Sequence, residues 1–215
     1  MPGQSAFAPA ATGAGTGARY PVQSVNSGSA STTTRVPVLG ATPTNGNLLI
    51  LVSLQEGTDA VSSVVTTNVT WTLLAQTTAA VAPVIEIWKG VVAASASATT
   101  TVTYGAAAFH NAIVMEWASL AGTLDASATR ASTTDPTGTH PIAIYTPTVR
   151  SALVIAAEST ISNGTLFSAF SGTFMAHLLT ATCGVQYGFP GTNPVYGIAT
   201  GGSSATTSCL TVGIV

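Results

Sequence analysis

The sequence predicts an all-β protein, an antiparallel two-sheet sandwich behind an extended N-terminal arm. Three observations carry that prediction. Short β-branched or apolar runs recur between Gly, Asn, Ser and Pro punctuation roughly every 8 to 12 residues. No stretch carries a long apolar stripe at the 3.6-residue period between helix caps. Two runs, NLLILVSL and ALVIAAES, are apolar on both faces, as central strands are when a second sheet or a neighbouring subunit covers them.

Residues 1–19, rich in Gly, Ala, Pro and Ser, offer almost nothing to pack and read as an arm. Fully stretched, at about 3.3 Å per residue, that arm reaches on the order of 60 Å. From residue 20 to 215 the chain reads as one domain of successive strands: YPVQSV, TTTRVPV, NLLILVSL, AVSSVV, TWTLLAQ, VIEIWKGV, ATTTVTY, NAIVMEWASL, PIAIYTP, ALVIAAES, TFMAHLLTAT and TSCLTVGIV. Alternation in VIEIWKG puts Ile85 and Ile87 on one face and Glu86 with Trp88 on the other. AIVMEWA groups Ile113, Met115 and Trp117 and leaves Glu116 opposite. Both patterns predict strands wet on one side. Pro141, Pro147, Pro190 and Pro194 fall near run ends, where a missing N–H costs least.

The apolar run at 46–54 is too short for a bilayer span, which needs about 20 apolar residues, and Gln55, Glu56 and Asp59 follow it directly. It reads as a buried strand, and no membrane association is expected. The first 20 residues lack the charged and apolar regions of a signal peptide. Charged residues make up only 6% of the 215, against about 25% in an average globular protein. The net charge is −2, and the five Lys and Arg are scattered singly. No basic stripe is present to track a phosphate backbone, so nucleic acid is not an expected partner. Weak self-repulsion favours association instead.

Chemical motifs are sparse. Glu86 and Glu116 each neighbour a tryptophan, and a glycosidase needs two carboxylates about 5 to 9 Å apart. The ordinary reading of this pair is scattered carboxylates on an exposed sheet face. His110, His140 and His177 lie on separate segments with no metal-ligand spacing, so no metal site is expected. No GxSxG elbow occurs, and the Gly-rich ATGGSS at 199–204 lacks the lysine and following helix of a phosphate cradle. No catalytic residue and no cofactor are therefore assigned. Cys183 and Cys209, the only cysteines, match no zinc pattern; packed free thiols are the first expectation and a bridge the alternative.

The aromatic residues can form a stacking platform for a sugar, or they can be core and subunit-interface packing. The stretch YGFPGTNPVYG at 187–197 is the most loop-like aromatic cluster. Tyr187, Phe189 and Tyr196, together with Trp88, are accordingly the candidate ligand or partner contacts.

In order, PTNGNLLILVSLQEG, VTTNVTWTLLAQTT, VIEIWKGVVAASASATTTVTY, NAIVMEWASLAGTLDASATRAS and VRSALVIAAEST resemble a β-sandwich module of tailed-bacteriophage virion proteins and some bacterial surface proteins. The resemblance spans roughly residues 20–160. It implies a jelly-roll-like sandwich without catalytic residues, a virion location on the capsid surface, and a decoration or cement role. The implied partners are the major capsid protein or another virion protein, and copies of the chain itself, with a trimer favoured. A glycan- or receptor-binding module of a tail or head fibre is the alternative. A cement protein needs a rigid body, a neutral surface and often a gripping arm, and the composition supplies all three.

Overall fold

The computed structural model describes residues 20–77, 83–118, 120, 122–132, 139–141, 146–148, 153–160, 165–170, 174–179, 183–189, 197–201 and 207–215. The arm expected at 1–19 and the 190–196 stretch, with Tyr196, lie outside the described residues, as does the 142–145 part of PIAIYTP.

Every regular element described is a strand. In chain order these are β1 (Gln23–Asn26), β2 (Ala30–Arg35), β3 (Leu48–Gln55), β4 (Val61–Val65), β5 (Val69–Gln76), β6 (Val84–Val92), β7 (Thr101–Trp117) and β8 (Leu124–Ser132). They continue as β9 (Thr139–Pro141), β10 (Leu153–Thr160), β11 (Thr165–Phe170), β12 (Phe174–Leu179), β13 (Cys183–Gly188), β14 (Gly197–Gly201) and β15 (Thr207–Ile214). All pairings are antiparallel.

The protein is a β-sandwich whose two large sheets come from consecutive parts of the chain. Strands β1 to β7 form a seven-stranded sheet with the path β1-β7-β3-β6-β5, and β2 and β4 also pair with β7. Strands β12-β13-β10-β15-β8 form the five-stranded sheet, and β11-β14-β9 a smaller third one. The core between the two large sheets follows from period-2 alternation. Leu48, Ile50, Val52 and Leu54 of β3, with Ile85, Ile87, Ile113 and Met115 from its neighbours, meet Leu153, Ile155, Leu210 and Val212 of the opposing layer. Trp117 closes one end, edge-on to Tyr187 at 5.2 Å and to Phe189 at 6.0 Å.

Strand β3 is buried along its whole length, as its doubly apolar sequence predicts, and so is the described part of β10. The cover on the outer face of β3 is the chain itself. ATTTVTY and NAIVMEWASL, expected as separate strands, are one strand, β7. Its residues 110–117 pair with β3, whereas residues 101–104 pair with β4. On the β2 side the ladder also shifts between Thr32 and Thr34, so residues 105–107 have no strand partner on either side. At this GAA hinge the first part of β7, flanked by β2 and β4, folds over the outer face as a three-stranded flap. A second core forms beneath it, from Leu49, Leu51, Ala112 and Val114 below and Val61, Val102, Tyr104 and Leu39 above.

Candidate functional site

The flap changes the meaning of the carboxylates. Glu86 and Glu116 do lie on the face opposite the main core, as alternation predicts. That face is covered rather than wet, and both residues are buried. Glu86 Oε2 accepts the Val61 N–H of β4 at 3.1 Å and the Trp88 indole N–H at 3.2 Å, so it ties the flap to the main sheet. Burial pushes its carboxyl above the usual range, opposed by the hydrogen bonds from Trp88 and Val61.

Glu116 holds the other end of the same face. Its Oε2 accepts from Gln23 Nε2 at 2.6 Å, and its Oε1 accepts from the Thr44 N–H at 2.8 Å and from Asn47 Nδ2 at 2.6 Å. Gln23 in turn donates to the Ala41 carbonyl and accepts the Ala41 N–H, both at 3.0 Å. One carboxylate thereby fastens β1 and the 40–47 connection to β7.

The two carboxylates do not converge. Glu86 is in register with Ser53 and Glu116 with Leu49, on opposite sides of β3. Four residues along a strand and two strand spacings across give a Cα separation of roughly 16 Å. A glycosidase pair needs about 5 to 9.5 Å, so these two are not such a pair.

Beyond Glu86, at the end of β3 away from Glu116, lies a polar cluster that the sequence did not reveal. The rings of Tyr104 and His110 stack in parallel, with centroids 3.7 Å apart, and Ser53 Oγ donates to the Tyr104 hydroxyl at 3.2 Å. Burial pushes the Tyr104 phenol up to about 12, opposed by the Ser53 hydrogen bond and by Arg35, with Glu86 adding the least. His110 is fully buried and in register with Gln55, also fully buried. Neither polar atom of the Gln55 side chain has a hydrogen-bond partner among the described residues, and neither does His110 Nδ1. The sequence signal for this cluster was weak: Gln55 directly follows the apolar run NLLILVSL and His110 directly precedes NAIVMEWASL.

The aromatic candidates separate. Tyr187 is not on a loop: it belongs to β13, and its side chain is buried in the main core against Trp117. Phe189 follows directly and packs, half-buried, on the same core. Trp88 is half-buried over the second core, with its indole N–H committed to Glu86. The structure thus brings Tyr187 and Phe189 together at one end of the main core and leaves Trp88 on the far side of the sheet.

His140 lies on β9 and His177 on β12, in different sheets, while His110 lies on β7. Among the described residues no group of three metal-ligating side chains converges. Cys183 is in register with Ser159 and Cys209 with Glu158, on opposite sides of β10. Two strand spacings separate their Cα atoms by about 10 Å, beyond the roughly 7 Å a disulfide tolerates, so the two cannot bridge within this chain.

The outward face of the flap is an extended neutral surface. Thr34, Thr103 and Ser63 are in register across β2, β7 and β4, Thr101 is in register with Val65, and Val38 bridges to Thr99. Val36, Val38 and Val65 are 48%, 51% and 60% exposed. Among the described residues no helix is long and apolar enough to cross a membrane. Comparison with protein-family models, curated proteins and solved structures finds no match.

Proposed function

We propose that this chain is a non-enzymatic structural protein of a tailed-bacteriophage virion, decorating or cementing the capsid surface. The observation that carries the reading is the flap face. It is an uncharged array of threonine, serine and valine, exposed at Thr34, Ser63, Val36, Val38 and Val65 and half-buried at Thr101 and Thr103, which fits a protein contact better than chemistry on a small molecule. The buried ionisable groups Glu86 and Glu116 are absorbed into bonds that hold the fold, which supports the same reading. The expected partners are the major capsid protein or another virion protein, and further copies of the chain, as a trimer on threefold positions. The 1–19 arm supplies a second grip, and repetition over many sites turns a weak contact into a stabilised shell.

The experiment is a proteomic inventory of purified particles, followed by rebinding of the wild-type chain, an arm-deleted chain and a Val65→Asp, Thr101→Asp chain to stripped particles. Co-purification, with loss of rebinding in both altered chains at unchanged thermal stability, is expected. Absence from particles refutes the proposal. A glycan- or receptor-binding fibre module is the second reading, favoured by the only partly buried rings of Trp88 and Phe189. Binding on a glycan array that Trp88→Ala removes would support it over cementing.

A further inference from the structure

The flap is joined to the main sheet through β2, the Glu86–Val61 bond and a hinge in β7, and one side chain contacts that hinge on both sides. Residues 105–107 have no strand partner on either side. The His110 ring reaches back along its own strand to them. The Ala108 N–H donates to His110 Nε2 at 3.2 Å, and the Ala106 carbonyl lies 3.1 Å from the same nitrogen. The face of the ring stacks on Tyr104, the last flap residue before the hinge. A single buried imidazole therefore touches the backbone on both sides of Ala107 and the flap itself.

We propose that His110 is a proton-sensitive latch: as the neutral ring it clamps the hinge and keeps the flap closed over the second core, and on protonation it lets the flap open. A neutral imidazole has one N–H and one lone pair, so it can accept from Ala108 while presenting Nδ1–H, or donate to Ala106 while presenting a bare Nδ1. The imidazolium has no lone pair at all. It cannot accept from Ala108; it keeps the Ala106 carbonyl as a partner, which favours the charged ring, but places a second N–H, with its charge, at a fully buried position.

The groups packed around the ring from each element are few. Arg35 of β2 opposes the added charge, and Asp59 of the β3–β4 connection favours it. Glu56, in the same connection, donates its backbone N–H to the Phe109 carbonyl beside the ring. Gln55 of β3 is neutral, Tyr104 offers its π face, and Glu86 of β6 acts on Tyr104. Burial is the largest influence and holds His110 below the ordinary histidine value. The sign follows: full latch stability is present above the unfolded histidine value, about 6.5, and is lost as the pH falls from there through the lower folded value.

The test is hydrogen exchange followed by mass spectrometry on the full chain at pH 7.5 and pH 5, corrected for the intrinsic rate. Peptides from β2, β4 and residues 101–104 should lose protection about tenfold or more at pH 5, while β3 and β10 peptides hold theirs. His110→Gln should bring the flap ratio between the two pH values to within about twofold of one. In the wild type, the His110 ring proton and the flap amides should share one NMR titration midpoint, and Asp59→Asn should move that midpoint to lower pH. The latch is overturned by flap protection that does not change with pH, by a pH response surviving in His110→Gln, or by separate midpoints for ring and flap. Should His110→Gln fail to fold, the shared midpoint and its shift in Asp59→Asn decide the matter alone.

Discussion

Replacing Glu116 by alanine removes the acceptor for three donors at once, those of Gln23, Thr44 and Asn47. Hydrogen bonds to a charged acceptor contribute about 1.5–3 kcal/mol each when both groups are withheld from water. Here the acceptor is fully buried, but Gln23 and Asn47 are only half-buried and Thr44 is exposed, so water can reach the donors once the carboxylate is gone. A value below that range, about 1 kcal/mol per bond, is therefore appropriate, and the emptied site adds a packing loss. The sum predicts that Glu116→Ala lowers unfolding free energy by about 3–4 kcal/mol. Glu116→Gln keeps one oxygen for Thr44 and Asn47 but sets an amide against the Gln23 amide. Gln23 cannot flip without giving up both bonds to Ala41, so a loss of about 1–2 kcal/mol is expected. Urea denaturation with an unchanged m-value measures both. A Gln23→Ala, Glu116→Ala cycle should return a coupling of about 1 kcal/mol or more. A Glu116→Ala chain within about 0.5 kcal/mol of wild type would refute this account of how the 40–47 connection is held.

Gly90→Ala should destabilise by about 1–3 kcal/mol, because its new Cβ would sit 2.7 Å from Val69 Cγ1 and 3.0 Å from the Trp71 ring; a tryptophan emission change should accompany the shift in urea midpoint. Glu86→Gln keeps one oxygen for Val61 and Trp88 and removes a buried charge. Since the folded carboxyl is raised, its ionisation lowers stability as pH rises through the folded value; the variant's stability relative to wild type should therefore be greater at pH 7 than at pH 4 in thermal melts. Tyr187→Ala should cost about 3–5 kcal/mol, as loss of a core aromatic does, and a stability near wild type would return Tyr187 to the surface contacts.

Where local pattern and tertiary environment coincide, the chain was legible. Alternation in VIEIWKG and AIVMEWA assigned the two faces of β6 and β7 correctly, because a strand's side-chain period is fixed by its backbone. The doubly apolar NLLILVSL became the fully buried β3 for the same reason. Four strands were missed: β8, β11, β13 and β14 are built from LDASATRAS, TLFSAF, CGVQYG and GIATG. Three of these are rich in small or glycine residues, which carry almost no apolar contrast, so only partner strands could assign them. The join of two predicted strands into β7 was hidden because GAAA reads as a turn until strands on both sides hold the segments flanking it. Tyr187 was misplaced through its neighbours: Gly188 and Pro190 suggested a loop, while register with Ile155 and Met175 put it on β13.

By itself the sequence determined that the chain is all-β, which segments are buried on both faces, and that the surface is short of charge. Each of these is a property of residues a few positions apart. Only the tertiary structure decided that β7 bends at residue 105 and folds its own flap over the sheet, and so turned a face expected to be wet into a second core. That outcome depends on contacts between segments far apart in the chain, such as Val61 with Glu86 and Gln55 with His110, and no local period encodes which distant segment will cover a given face.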